Sequence, residues 1–322
     1  MSSPVVTGCV FLNNHSAGYG GADYNSSGDS VFSHCVFSDN TARWSGAVSV
    51  NVSNPLLHNC LFTGNEAAAG GAVFNGDESS PQIKSCTFSD NAAEEKQRGA
   101  VFNEEAASDP RIANTILWEN RGSEVIDNDG AASQLTNCII YGGWSGLGGL
   151  NHDVDPRYGD DGFQLTAASP AINAGSAGRR VQDAADIDGD ENRSEALPLD
   201  ITGISRITDG QPECGACEFI PGTMTIAYRR TPHFSAAQLV NPAPKATVWG
   251  NAADPDSDGI SNYGEYRFAS NPTVTDSPQR GLRVVNIGGV NYLTFTYVTM
   301  DARPAVTVTP PAGPPHPRFR NN

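Results

Sequence analysis

The sequence predicts an all-β fold: a solenoid of stacked parallel coils, an irregular closing segment, and shorter β pieces after it. Three observations carry that reading. One pattern returns about every 25 residues through the first half of the chain, and a fixed period of that size marks a solenoid. Within each copy the apolar residues are spaced by two, the period of a strand rather than a helix. Gly and Asn punctuate the copies, as tight bends and left-handed backbone require.

The first block of the repeat reads Pro, an alternating stretch, then Cys-x-Phe. It appears at Pro4 to Phe11, Pro55 to Phe62 and Pro81 to Phe88, with an Asn five residues after each cysteine at Asn14, Asn65 and Asn91. A fourth copy lacks the proline and keeps Cys35, Phe37 and Asn40. A fifth, Pro110 to Asn120, has Thr115 in the cysteine slot and Leu117 in the phenylalanine slot. The second block is glycine-rich: Gly20-Gly21-Ala22, Gly46-Ala47-Val48, Gly70-Gly71-Ala72-Val73-Phe74-Asn75 and Gly99-Ala100-Val101-Phe102-Asn103. About 25 residues make one coil of two or three short strands, and coils stack at the ordinary interstrand spacing of about 4.8 Å. Stacking places equivalent residues over one another, so cysteines and phenylalanines form inward columns and the asparagines a ladder of amides. Parallel crossovers are right-handed. The expected fold over residues 1–150 is therefore a right-handed parallel β-helix. These repeats resemble the Cys-x-Phe-x-x-Asn and Gly-Gly-Ala repeats of bacterial right-handed β-helix surface proteins, polymorphic outer-membrane protein repeats among them. That resemblance implies the fold; the proteins it covers include adhesins, passenger domains and carbohydrate-active enzymes.

Cys9, Cys35, Cys60, Cys86 and Cys138 share one slot. They are expected as buried, reduced thiols acting as small hydrophobes, because stacked parallel side chains rarely meet the disulfide dihedral. Cys214 and Cys217 form a Cys-x-x-Cys with neither a second such pair nor a nearby His pair. Structural thiols or one local disulfide are the readings for them.

Residues 151–220 change character. The series Asp155-Pro156, Phe163-Gln164-Leu165, Ser169-Pro170-Ala171-Ile172-Asn173-Ala174-Gly175, Asp186 to Arg193 and Glu213 to Phe219 resembles the C-terminal module that closes many secreted bacterial β-helices. Asn173, Glu213 and Cys217 stand where that module carries Asp, Asp and Tyr. The resemblance implies irregular last coils that cover the open end of the solenoid. Inside it, Asp186, Asp188, Asp190 and Asn192 set oxygens at alternate positions, either as a second cation site or as a solvated acidic turn held by Arg193.

After a linker at 221–250 comes the sharpest chemical motif. Residues 254–265 match D-x-D-x-D-G-x5-E in full. Calcium takes six to eight oxygens, and the spacing supplies them: carboxylates from Asp254, Asp256 and Asp258, the carbonyl of Ile260, Asn262 at the often water-mediated position, and both oxygens of Glu265. Gly259 permits the sharp turn. The expected cofactor is Ca2+, and the other reading is an acidic linker. Residues 251–276 resemble thrombospondin type 3 and dockerin-like loops, which implies a rigid linking module rather than a sensor. Residues 277–300 then read as a β-hairpin of an incomplete sandwich, two alternating runs around Gly288-Gly289. Residues 301–322 are Pro-rich, which cannot carry a ladder, and are expected to be a disordered tail.

Composition narrows the function. A net charge of −16, with Lys84, Lys96 and Lys245 as the lysines, disfavours nucleic acid and anionic membranes. No run of about 18 apolar residues crosses a membrane. Met1 falls inside a coil and opens no signal peptide, so the leader of a secreted or cell-surface protein is expected upstream. A monomer is expected. No catalytic constellation emerges: Asp160-Asp161 is an acidic pair in a loop, and His15, His34, His58 and His152 are scattered, with His34 and His58 expected to face solvent on one strand. Arg43, Trp44, Arg98 and Trp118 fall between the two blocks of different coils and are expected to line one face, as a platform for sugar rings or as plain surface contacts. The reading is a non-catalytic, extracellular or cell-surface protein for adhesion or carbohydrate binding, its partner a polysaccharide or cell-surface glycan, with structural calcium. The alternative is a polysaccharide lyase or glycoside hydrolase of the β-helix class.

Overall fold

The structure, a computed structural model, describes residues 3–94, 99–105, 107–159, 162–183, 192–202, 205–207 and 210–219. It also describes residues 253, 255 and 257 and the backbone of strands at 281–287 and 290–296. The chain forms two compact units, Met1–Thr225 and Ile226–Asn322.

Four parallel sheets, of seven, six, four and five strands, run the length of the solenoid in the first unit. In the third coil the strands are Leu56–His58, Leu61–Thr63, Glu66–Ala69 and Val73–Gly76, one in each of sheets 1 to 4. The coil thus holds four strands where two or three were expected, because its bends are very short. Between sheets 1 and 2 the chain turns on one left-handed residue, from Gly8 (φ 64°) and His34 (φ 57°) through Asn59, Ser85 and Asn114 to Asn137. Between sheets 2 and 3 the turn falls on Asn13, Asp39, Gly64, Asp90 and Glu119. Left-handed backbone costs most residues about 1–2 kcal/mol, and Gly, Asn and Asp bear it best.

Register is residue for residue, and it builds the columns. Phe62 pairs with Phe37 on one side and Phe88 on the other. The rings of Phe11, Phe37, Phe62 and Phe88 stack at 4.7, 4.7 and 4.5 Å with planes within 4°. Leu117 and Ile140 continue the column. In the cysteine slot each thiol donates to the carbonyl two residues back: Cys35 to Ser33 at 3.3 Å, Cys60 to His58 at 3.2 Å, Cys86 to Lys84 at 3.3 Å and Cys138 to Thr136 at 3.4 Å. Thr115 Oγ1 makes the same bond to Ala113 at 2.8 Å, so what the slot requires is a small side chain with one donor. None of the seven cysteines, all within the described residues, is in a disulfide. Burial pushes the Cys138 thiol up to about 12, which keeps it protonated.

The asparagine ladder is continuous. Asn14, Asn40, Asn65 and Asn91 each donate from Nδ2 to the Oδ1 of the next coil's asparagine at 2.8, 2.9, 2.8 and 2.8 Å, ending on Asn120. The glycines of the second block are there for space. A Cβ on Gly46 would stand 2.3 Å from Gly71 O and 2.5 Å from Glu66 N, both backbone atoms that the coil spacing holds in place.

The described residues of 151–219 are irregular, with a 3-10 turn at Ala177–Arg179 and isolated bridges among them. Asn151 and His152 continue onto the last coil, with His152 bridged to Ile139 and Asn151 Oδ1 accepting from Cys138 N at 3.0 Å, and later residues contact the solenoid along the corner between sheets 1 and 2. The reason lies in the bend residues, whose side chains project sideways as unfilled polar groups. Asn114 accepts from Ser176 N at 2.9 Å and donates to Ser176 O at 3.0 Å. Apolar contacts follow: Val181 and Leu197 pack on Val31 and Leu56, and Leu165, Ala171 and Cys214 on Ile116, Trp118 and Ile139. In the second unit, strands Gly281–Ile287 and Val290–Thr296 pair antiparallel, with Ile287 opposite Val290. Among the described residues no helix is long and apolar enough to cross a membrane.

Candidate functional site

The outer faces of sheets 3 and 4 meet in an aromatic strip. In sheet 3, register sets Tyr19 beside Trp44 and Trp44 beside Ala69. In sheet 4 it aligns Tyr24, Ser49, Phe74, Phe102 and Ile126. Strand alternation explains the direction: Val73 lies in the solenoid core and Asn75 is buried on the same side, so Phe74 between them points outward. Ser49 and Ala69 are small, and the space above them takes the larger rings of neighbouring coils. Tyr19 stacks on Tyr24 at 5.5 Å and on Trp44 at 6.5 Å, while Phe74 meets Trp44 at 5.7 Å and Phe102 at 5.7 Å. The Arg43 guanidinium lies 5.7 Å from the Trp44 ring centre.

The strip has a dry floor and a wet top. Phe74 and Phe102 are 4% and 3% exposed, whereas Tyr19 and Tyr24 are 48% and 49% exposed. Of these residues sequence reasoning singled out Arg43 and Trp44 and missed Tyr19, Tyr24, Phe74 and Phe102. The available signal was strand parity in the second block, where the residue after the inward valine must face out.

Trp118 lies elsewhere. It stands in sheet 2, 8% exposed, packed among Ile116, Ile139 and Leu165 and edge-on to Tyr141 at 5.1 Å. The expected single face for Arg43, Trp44 and Trp118 is therefore split between two sheets: Trp118 ends a strand, next to an inward Leu117, instead of sitting in a turn. It borders an open cleft of about 300 Å³ that Asp90, Glu119, Asp155, Arg157 and Tyr158 also line. Arg98, Asp160 and Asp161 lie outside the described residues.

His34 and His58 do not face solvent. His58 is 2% exposed and His34 half-buried, with Leu199 and Arg206 at this corner. Leu199 O lies 3.2 Å from His34 Nε2 and accepts from Asn59 Nδ2 at 2.6 Å. Arg206, 1% exposed, pairs with Glu218 at 2.7 Å, donates to Gly215 O at 2.8 Å and reaches the Asn59 side chain. Burial pushes the Glu218 carboxyl up to about 7, with Arg206 pulling it back.

Of the second acidic cluster, Asn192 alone is described. Its Nδ2 donates to Glu195 at 2.6 Å and its Oδ1 accepts from the Ser194 hydroxyl at 2.8 Å, which closes a local turn. Asp186, Asp188 and Asp190, and the calcium-loop residues Asp254, Asp256, Asp258, Ile260, Asn262 and Glu265, lie outside the described residues. Among the described residues no three His, Cys, Asp or Glu side chains converge so as to hold a metal ion.

Residues 2–148 match the family model of the right handed beta helix region, which agrees in extent with the stacked coils. No curated protein and no solved structure matches the chain.

Proposed function

We propose that this right-handed β-helix is a non-catalytic, secreted or cell-surface protein that binds polysaccharide on its aromatic strip. One observation carries the reading: two half-exposed tyrosines and a tryptophan form a stacked platform over a buried Phe floor. Sugar rings present C–H faces that lie flat on aromatic rings, and the rigid coil stack holds that platform without loop ordering. Arg43 and the tyrosine hydroxyls supply donors at the rim for sugar hydroxyls. The net charge of −16 repels polyanions at long range, so the favoured partner is a neutral glycan. Calcium on the 254–265 loop serves to stiffen the C-terminal region.

A second reading rests on the cleft beside Trp118, where carboxylates from two adjacent coils, Asp90 and Glu119, stand near Arg157. Paired carboxylates are what a glycoside hydrolase uses. Neutral and acidic polysaccharides, incubated with the protein in calcium and in chelator, separate the two. The binding reading predicts retention on a neutral polysaccharide with no new reducing ends and no unsaturated products. Product formation in either condition would put hydrolysis or elimination first.

A further inference from the structure

The corner between sheets 1 and 2 carries a buried histidine pair that the glycan site does not use. His34 and His58 sit on adjacent coils with their rings 5.9 Å apart, edge to face. The Ser33 hydroxyl lies between them, 2.8 Å from His34 Nδ1 and 3.4 Å from His58 Nδ1. The described residues of 197–219 lie against the pair and bring a cation with them. The Arg206 guanidinium donates within its own segment to Gly215 O, Ala216 O and Glu218, and outward to Asn59 and to Ser85 O at 3.4 Å. Ala216 N donates to Thr87 Oγ1 at 2.9 Å, and Val181 and Leu197 seal the far side on Val31 and Leu56.

The charges facing the pair are unbalanced. His58 feels His34, Arg206 and Lys84, all of one sign. His34 feels Arg206 from the covering segment, and it is eased by Leu199 O, by Cys35 and by Asp200. Asp200 is itself engaged, accepting from Glu218 N at 2.7 Å and from Thr202. Glu218 is taken up by Arg206. A proton on His58, itself 2% exposed, therefore meets Arg206, Lys84 and, once it too is charged, His34.

We propose that residues 197–202, 205–207 and 210–219 form a strap held on the solenoid at neutral pH and released in acid, with the His34–His58 pair as the trigger. Burial and its cationic neighbours hold His58 well below the ordinary imidazole range, and burial lowers His34 too. A depressed histidine gives closure a stability that is present above its ordinary value of 6.5 and lost as pH falls below it. Glu218 works against this: its carboxyl, raised to about 7, takes up a proton over the same range and is eased by it. The histidines must therefore outweigh Glu218, and Glu218→Gln removes the opposition.

The strap carries its own reporters, since Cys214 and Cys217 are 0% and 2% exposed while Cys60 and Cys86 lie in the solenoid core. The full chain is pulsed with a pyridyl disulfide, which reacts with thiols in acid, and labelling at each cysteine is read by mass spectrometry. The ratio of strap to core labelling corrects for the pH dependence of the reagent. Going from pH 7.5 to pH 5, the ratio is expected to rise at least tenfold in the wild type and in Glu218→Gln, and to stay flat in His58→Gln. A flat ratio in the wild type, or an equal rise in His58→Gln and His34→Gln, overturns the proposal. Should His58→Gln fail to fold, C2-proton exchange of the wild-type histidines decides: His58 must resist protonation while the strap is closed, and ordinary titration with unlabelled strap cysteines sinks it.

Discussion

The side-chain amide of Asn120 donates to the carboxylate of Glu124, and there the asparagine ladder ends. Five coils pass the same pattern forward, each Asn using its amide to satisfy the amide and backbone of the coil before. The last rung needs an acceptor, and the Glu124 side chain, 4% exposed, supplies it. Asn120 N donates to the same group at 3.3 Å.

Interior rungs should matter more than the first. Asn65 Nδ2 donates to Asn91 Oδ1 at 2.8 Å and to Phe37 O at 2.9 Å, while its Oδ1 accepts from Asn40 N at 3.1 Å and Asn40 Nδ2 at 2.9 Å. Asn65→Leu breaks four buried hydrogen bonds and takes these partners from Asn40 N and Phe37 O, while Asn40 Nδ2 keeps Phe11 O and Asn91 Oδ1 keeps the backbone N–H of residue 65. At about 1–3 kcal/mol per stranded group, a loss of about 3 kcal/mol is expected. Asn14 is exposed, and Asn14→Ala should cost about 1 kcal/mol. Urea midpoints of the two variants check this, and equal shifts would remove the ladder from the stability account.

Glu124 gives a pH signature. Burial pushes its carboxyl up to about 7, against hydrogen bonds from Asn120 that pull it down. A raised carboxyl contributes stability that is full below its ordinary 4.5 and lost as pH rises through about 7. Glu124→Gln should therefore match the wild type near pH 4.5 and exceed it at pH 8, by up to about 3 kcal/mol. Denaturant titrations at both pH values measure the difference.

Glycine positions separate by space. Gly46→Ala drives a methyl into Gly71 O and should destabilise by about 3 kcal/mol or more, while Gly18→Ala meets nothing within 4 Å and should stay within about 0.5 kcal/mol. Thermal melts of the pair test it, and a tolerated Gly46→Ala would mean the coils can move apart.

The 254–265 loop should bind calcium through its carboxylates. Calcium is expected to raise the melting temperature of the wild type, and Asp256→Ala or Glu265→Ala to abolish that rise. A rise that survives both variants would move the site elsewhere.

The solenoid was legible because its contacts recur: Cys60, Phe62 and Asn65 each meet their own kind one coil away, so one period exposes the whole column. The aromatic strip was only partly legible. Tyr19 and Tyr24 appear in a single coil, and their meeting with Trp44 and Phe74 depends on strand parity and on the smallness of Ser49. The covering of His34 and His58 was not legible, since Arg206 reaches Asn59 across 147 residues and no spacing announces it. The contacts of Ser176 with Asn114 were not legible either, since the sideways amides of the bend residues become visible only once the coil corners are placed.

The most direct measurement is affinity electrophoresis through gels carrying neutral polysaccharides, comparing the wild type with Tyr19→Ala/Trp44→Ala. Tyr19 is half-exposed while Trp44 packs on Phe74, so thermal melts run beside the gels establish that the double variant is folded. The account predicts that at least one neutral polysaccharide retards the wild type and that the double variant loses retardation tenfold or more. Equal retardation of the two proteins, or free migration of the wild type through every gel, would contradict it.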